Sequence, residues 1–574
     1  MKNTLLLLFT LASLSNVQAA NPPNLNLANL PQQINLNQGA TVTYTFNLPI
    51  TSVLARNINV VGISVSGTDV TFTGMSAGRT GLKITANTGQ NYYMGLRVNT
   101  AAGAVPGLPN YLSIGSVSED VTADLNFWKD VQPGLKNKGM DVRYIYINGG
   151  PLTGWRSWGI GRPGKFARES LRHGLIPFYV YYNIPDDGES YSLDLAHVND
   201  VAYMTAYFED LNQFMDSVQA NLQGELYGII LEPDFLGYMQ QNANPNEPTS
   251  IVTCVGLTNI APGAGNIKTL VQRINQTIKD KRTAGHNLLF GWQLNLWAAG
   301  SSPIRLTDTQ GFAQGRASIK DASEQTIVYA ARAGIFSNCA DYVSIDKYGL
   351  DACGHINDPD HPYNVPWFFN NDHWRNYLFY VKQFWQVTGY PVVLWQLPVG
   401  HINNSSEVSE YTGATFPPLG NTFQRYEDSS TSFFFGDIYS ASNSDRLSYF
   451  SQNQYAEPGL TVNGTNITWA NHLAMTRDSG VISVLMGAGV NSSTDGIGDP
   501  PTDDYFWVQK VQEYYTGGTL PLTQTIFSPC CGTTCAPKAS FVFPADGQTI
   551  YQAAPSYCNG CYDPVELKFR LFDL

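Results

Sequence analysis

The chain has 574 residues, of which 43% are apolar and only 14% charged, with a formal net charge of −13 at pH 7. That length exceeds one compact domain, and the apolar share is enough for real cores. The acidic balance removes any electrostatic reason to bind nucleic acid or an anionic membrane. Aromatic residues, with 32 Tyr and 11 Trp, exceed what core filling requires. Rings stacking on sugar faces would use the surplus, and the core of a barrel is the plainer use.

Residues 1–19 read as a secretory signal peptide, with Lys2 before Leu5-Leu6-Leu7-Leu8-Phe9 and small residues at cleavage spacing up to Ala19. The stretch is too short for a stable membrane span, and no other segment approaches the needed length. An exported, monomeric protein is expected.

Residues 20–104 read as an immunoglobulin-like β-sandwich. Thr41-Val42-Thr43-Tyr44-Thr45-Phe46, Val70-Thr71-Phe72-Thr73 and Leu82-Lys83-Ile84-Thr85 alternate with period two between Asn, Gly and Ser punctuation. The segment has no Cys or His and few acids, which suits a spacer or docking module. Residues 101–107 form the linker.

From 105 to 520 the pattern becomes strand, helix, strand, helix. Apolar strand candidates fall at 111–117, 142–147, 176–184, 227–231, 288–296, 342–345, 392–397 and 481–486, with helices at 201–218, 267–281 and 374–387 among those between. Near-continuous apolar strands suit a parallel sheet covered on both faces. Eight of them alternating with helices predict an α/β fold of the (β/α)8-barrel type. An open doubly wound sheet is the alternative, but no Gly-rich nucleotide loop follows the first strand.

The segment 521–574 is Cys-rich, with strand-like Ser540–Gly547 and Val565–Arg570, and reads as a small or partial β-module. Of eight cysteines, Cys530, Cys531, Cys535, Cys558 and Cys561 lie there. The even total in an exported chain favours disulfides over zinc. Cys339 and Cys353 could pair, which leaves Cys254 free or partnered elsewhere.

The strand ends carry a ring of polar and aromatic candidates. Trp155 and Trp158 follow strand two; Tyr182, Asp186 and Asp187 follow strand three; Glu232 and Asp234 follow strand four. Trp292, Gln293, Asn295 and Trp297 come from strand five, Asp346 and Tyr348 from strand six, and Trp395, Gln396 and His401 from strand seven. Asp495 follows strand eight, and Trp367 is a further stacking candidate. Carboxylates with aromatic walls in a barrel mouth suit glycoside hydrolysis, which needs a proton donor, a base or nucleophile, and a surface to hold the sugar. A plainer use of any one acid is to cap the helix that follows it; that explains the whole ring less well. No cofactor is expected. His355 and His361 among Asp351, Asp358 and Asp360 suit a solvated loop better than a metal site.

Tyr182-Asn183-Ile184-Pro185-Asp186-Asp187 followed by Ile230-Leu231-Glu232-Pro233-Asp234 resembles glycoside hydrolase family 6, the inverting cellobiohydrolases and endoglucanases. That family carries Tyr-Asp-Leu-Pro-Asp-Arg-Asp after its third strand and Ile-Glu-Pro-Asp after its fourth. The resemblance implies a polysaccharide substrate of the β-1,4-glucan kind, Asp234 as general acid, Asp187 tuning it, and Tyr182 beside the scissile sugar. Gly489–Gly496 is similar to the family's loop after the last strand, which implies Asp495 as base. The family's Asp on strand five is absent from Trp292-Gln293-Leu294-Asn295, and its lysine after the last strand has no counterpart in Val484-Leu485-Met486-Gly487. Two alternatives stand beside this reading: a carbohydrate-binding barrel without activity, and a retaining glycosidase using Glu232 with Asp346. The retaining template expects Asn before Glu232 and an ionisable residue near 396; the chain has Leu231 and Gln396.

Overall fold

The computed structural model describes residues 25–186, 188–243, 246–348, 368–487 and 493–522. The expected signal peptide, Asp187, the loop with Cys353, His355, His361 and Trp367, and the Cys-rich segment from 523 onward lie outside these, as does the side chain of Cys339. Cys254 is a buried free thiol.

Seven strands between Gln33 and Asn99 form two sheets, one of four strands and one of three. In Asp69–Gly74 the period-two pattern buries Val70 and Phe72 completely, while Thr71 and Thr73 meet the hydroxyls of Thr43 and Thr41 across the sheet at 2.9 and 3.2 Å. The first strand, Gln33–Asn37, runs parallel to the seventh, Asn91–Asn99, and the remaining neighbours are antiparallel. The module has its own core around Phe46, Phe72, Ile84, Met94 and Leu96.

The barrel closes with eight parallel strands in sequence order: Ser113–Val117, Val142–Asn148, Ile176–Tyr182, Tyr227–Leu231, Leu288–Leu294, Tyr342–Asp346, Val392–Leu397 and Val481–Met486. These match the eight expected strands within a few residues at each end. Alternate residues divide between two cores. Tyr144, Phe178, Val180, Ile230, Tyr342 and Trp395 fill the lumen, whereas Tyr179, Tyr181, Leu231 and Trp292 pack outward under the helices. Gly228 and Gly291 face the lumen where a Cβ would fall 2.4 Å from the rings of Phe178 and Tyr342, so two missing side chains make room for a stacked aromatic pair.

The helices follow their apolar stripes. Val201–Leu222 starts on Asp200, whose carboxylate accepts from the N–H groups of Ala202 and Tyr203, and it buries Tyr203, Tyr207, Leu211 and Phe214. Among the described residues no helix is long and apolar enough to cross a membrane. Two features are additions to the expected plan. A hairpin of Val252–Val255 and Ile260–Asn266 follows strand four, and a three-stranded sheet of Asp437–Ser440, Thr461–Asn463 and Asn466–Trp469 lies between strands seven and eight. Most of these strands are three or four residues long, too short for periodicity to register in the sequence.

The β-module docks on the barrel through one buried anion. Glu225, two residues before strand four, accepts from Arg79 at 2.7 Å, from Gln33 at 2.6 Å and from Arg97. Arg56 reaches the carbonyls of His173, just before strand three, and of Trp128. These contacts sit at the N-terminal ends of the strands, the face of such barrels that serves stability, opposite the mouth.

Candidate active site at the barrel mouth

The same alternation that packs the lumen delivers polar groups to its top layer. Tyr144 and Tyr146, Phe178 to Tyr182, Gly291 and Gln293, and Tyr342 to Asp346 are inward positions two residues apart. Strand four breaks the rule at its end. Glu232 and Asp234 both adopt left-handed backbone, with φ of 41° and 65°, a costly conformation for residues with a Cβ that clusters at functional sites.

That turn separates the two carboxylates. Glu232 swings back beneath the loop after strand three and is fully buried. Its oxygens accept the N–H of Ile184 at 3.0 Å, the N–H of Asn183 at 3.2 Å and the hydroxyl of Tyr207 at 2.7 Å. Burial pushes its carboxyl up to about 8 against the opposing pull of these donors. Asp234 stays partly exposed at the start of helix Phe235–Asn242. Its backbone N–H donates to Gln293 Oε1 at 2.9 Å, Tyr182 donates to its Oδ2 at 3.3 Å, and Asn295 donates to its Oδ1 at 2.5 Å. Gln293 in turn donates to Asp346 at 2.8 Å. Strands three to six are thereby tied into one hydrogen-bonded set. Burial first, and Asp234 next, raise the Tyr182 hydroxyl far above its ordinary range, so it remains a donor.

Aromatic walls flank this set. Tyr238 and the half-buried Trp297 pack at 5.0 Å and 44°, and Gly237, next to Tyr238 in the chain, has no room for a Cβ beside Trp297 and Asn295. The Tyr238 hydroxyl is raised to about 12 by burial and then by Asp234, Glu189 and Asp194. On strand two, Tyr146 accepts from Gln396 at 2.9 Å and lies 5.9 Å from Trp395, and its surroundings include Asp346, Asp234 and Tyr348. Trp158 is 57% exposed in the loop after strand two, with the Arg162 guanidinium 5.5 Å from its ring centre. In the same loop Thr153 donates to Asp186 at 3.1 Å.

A second acidic group belongs to strands eight and one. Asp495 accepts from the N–H of Ile497 at 3.0 Å, and burial, followed by Asp503 and Glu119, raises it to about 6. Asp124 is raised to about 7 by burial and then by Asp495.

Several expected site residues lie away from the exposed mouth. Trp155 is fully buried and donates to Asp210 at 3.0 Å, and Trp292 is fully buried and donates to Asn275 at 2.8 Å. Both occupy outward positions, so the helix layer covers them. Trp395 is a lumen ring rather than a surface one, with 1% exposed. His401 is buried, with Nδ1 2.9 Å from the carbonyl of Ile402 and its ring stacked on Phe506 at 4.2 Å. Glu232 is a buried anchor for the loop after strand three.

Asp194, Tyr146 and Tyr207 were not singled out by the sequence. Asp194 stands in the first turn of helix Tyr191–Asn199, where an acid reads as an ordinary helix-start residue. Tyr146 was legible in principle, as an inward position near the end of strand two. Among the described residues no group of three or more His, Cys, Asp or Glu is placed to hold a metal ion.

No protein-family model and no curated protein matches the chain. Solved structures similar to it include an endoglucanase CEL6B from Humicola insolens, at 13% identity over 64% of this chain and 85% of that one, with a TM-score of 0.28. A bacterial Ig-like domain containing GH10 xylanase from termite gut is similar at 9% identity over 84% and 99%, with a TM-score of 0.28. Domains 4 and 5 of the S-layer protein SbsC are similar at 15% identity and a TM-score of 0.11, over 12% of this chain and 42% of that chain's length. At such scores these likenesses carry no functional weight, and the chemistry rests on the side chains themselves.

Proposed function

We propose that this protein is an exported glycoside hydrolase that cleaves a β-linked polysaccharide of the β-1,4-glucan kind by a single displacement with inversion. The observation that carries the reading is Asp234. A left-handed turn at the end of strand four presents this carboxyl in the mouth, Tyr182 and Asn295 hold one oxygen each, and the Tyr238–Trp297 wall stands beside it. Asp234 protonates the leaving oxygen. Asp495, across the barrel, takes the proton of a water that attacks the anomeric carbon from the opposite face. Inverting sites hold their two carboxyls ~6.5–9.5 Å apart to seat that water. Trp158 and Trp297 offer rings for sugar stacking.

The contacts of Glu232 favour this assignment over the retaining pair of Glu232 with Asp346, because both Glu232 oxygens are taken up by buried donors and Asp346 accepts from Gln293. The test is reducing-sugar release by the purified protein on cellulose, mixed-linkage glucan, xylan, chitin and mannan beside Asp234→Ala, with the anomer of the first product read by NMR. Activity that vanishes in Asp234→Ala and yields the inverted anomer supports the reading. A retained anomer overturns the mechanism, and a silent panel with glycan pull-down overturns the hydrolase.

A further inference from the structure

We propose that the cleft between the β-module and the N-terminal face of the barrel binds a small oxyanion, a carboxylate or a phosphate, held by Arg56 of the module and His173 of the barrel. The site lies at the opposite end of the barrel from the mouth and does not depend on the role of Asp234.

The cleft has a volume of about 1190 Å³, which suits a small molecule. Module residues 53–63 and 76–81 form one side; barrel residues 132–141 and 173–176 and the end of helix Phe506–Gly517 form the other. The two sides meet backbone to backbone. A Cβ on Gly81 would strike the carbonyl of His173, and one on Gly174 would strike that of Thr80. The spacing across the cleft is therefore fixed by the docking itself.

Arg56 is the anomaly in its wall. The side chain is buried, and Nη1 donates to the carbonyl of His173 at 2.9 Å and Nη2 to that of Trp128. Both acceptors are neutral, Nε has no partner, and among the described residues no carboxylate pairs with the guanidinium. The other arginines buried near this interface have their acids: Arg79 and Arg97 share Glu225, and Arg143 reaches Asp120 at 2.7 Å. Burial draws the Arg56 guanidinium down to about 9. A buried guanidinium with a free N–H and no anion is unfavourable, and its planar donors match an oxyanion.

Two further residues of the wall carry buried polar atoms without partners. His173 Nε2 is one, and the backbone carbonyl of His173 is the group that Arg56 holds. Asn137 Oδ1 is the other, while the Asn137 amide donates to the carbonyl of Arg56. Native structures pair nearly all such atoms, so three in one linked set point to a ligand. The field there is positive, since the charges acting on His173 are those of Arg56, Arg143, Arg172 and Lys129. The acid of the cleft, Asp141, is engaged by the hydroxyls of Tyr111 at 2.8 Å and Tyr515 at 2.5 Å, and the cation acting on it is Arg79.

Because Arg56 belongs to the module and His173 to the barrel, a bound oxyanion bridges the two and recognises only the docked arrangement. It strengthens docking by mass action.

The experiment is isothermal titration of wild type and Arg56→Gln with sodium glucuronate and with inorganic phosphate, at ionic strength held constant with NaCl. Glucose is the neutral control, and limited proteolysis of the 101–107 linker runs beside it. The expected result is saturable one-to-one binding of at least one anion and none of glucose. Arg56→Gln should weaken that binding by about tenfold or more. The anion should slow linker cleavage in wild type and not in the variant, with polysaccharide turnover equal in both. Binding of glucuronate alone identifies a sugar acid as the ligand, and binding of phosphate alone a phosphate; either supports the site. The proposal is overturned if neither anion saturates, if Arg56→Gln binds as tightly as wild type, or if binding leaves linker cleavage unchanged. Should Arg56→Gln fail to fold, His173→Leu, which keeps the carbonyl that Arg56 holds, carries the same comparison.

Discussion

Replacing Glu232 distinguishes an anchor from a catalyst. In Glu232→Ala the N–H groups of Asn183 and Ile184 and the hydroxyl of Tyr207 lose their acceptor inside a fully buried pocket. Each orphaned group costs about 1–3 kcal/mol, so a total of about 3–5 kcal/mol is expected after partial relaxation. For a barrel unit of ~400 residues unfolding at ~2.1 cal/mol/K per residue, that lowers Tm by about 4–6 °C. Glu232→Gln should behave differently. The carboxyl is raised to about 8 and is largely neutral at pH 7, so an amide is a close mimic. Its oxygen can face the two backbone donors while its NH2 donates to Tyr207. Differential scanning calorimetry should place the Gln variant within about 1 kcal/mol of wild type. Polysaccharide turnover should fall by less than about tenfold, whereas Asp234→Asn, which removes the proposed proton donor, should lose ~10²–10⁴-fold with native stability. If Glu232→Gln proves as inactive as Asp234→Asn while melting like wild type, Glu232 takes part in the chemistry and the anchor role is refuted.

Other perturbations bear on other parts of the molecule. The proposed base Asp495, raised to about 6, has to be ionised, so kcat/KM should fall as pH drops through about 6, and Asp495→Asn should abolish that limb along with most of the activity. Stability should decline with rising pH. The carboxyls of Asp141, Asp210 and Asp495 are raised to about 6, Asp124 and Asp503 to about 7, and Asp194 and Glu232 to about 8, all chiefly by burial. Each holds its proton more tightly folded than unfolded, so its contribution is complete below the ordinary carboxylate range and is lost as pH climbs through 6 to 8. Glu457, lowered to about 2, acts in the opposite sense but only as pH falls toward that value. A Tm that stays level or rises from pH 5 to 9 would contradict this. Glu225→Ala leaves Arg79 and Arg97 buried without their anion, at a cost of about 3–5 kcal/mol. Proteolysis in the 101–107 linker should accelerate while turnover is unchanged, because the docking face lies opposite the mouth. Trp297→Ala should raise KM more than it lowers kcat; an unchanged KM would remove that ring from the substrate surface.

Much of the architecture was written in local pattern. A strand covered on both faces must be apolar at nearly every position, so the runs ending at Tyr182, Leu231 and Asp346 were visible without any partner strand. The period of two in Val70-Thr71-Phe72-Thr73 and the helical stripe of Tyr203, Tyr207, Leu211 and Phe214 needed no tertiary information either. Acids at strand ends were legible for the same reason, since only the end of a buried strand can carry a charge toward water. Contact between distant residues was another matter. Glu232 and Asp234 are equivalent in the linear motif, and the left-handed turn alone decides that one is buried under Tyr207 while the other stands in the mouth. Trp155 and Trp158 differ in the same way, one under the helix layer and one 57% exposed. Asp194 looks like any helix-start acid, yet in the fold it is fully buried with neither oxygen hydrogen-bonded. Glu225 meets Arg79 from 146 residues away. Periodicity governs which face of an element a side chain occupies, but closure of the barrel and the backbone at its strand ends select what that side chain meets.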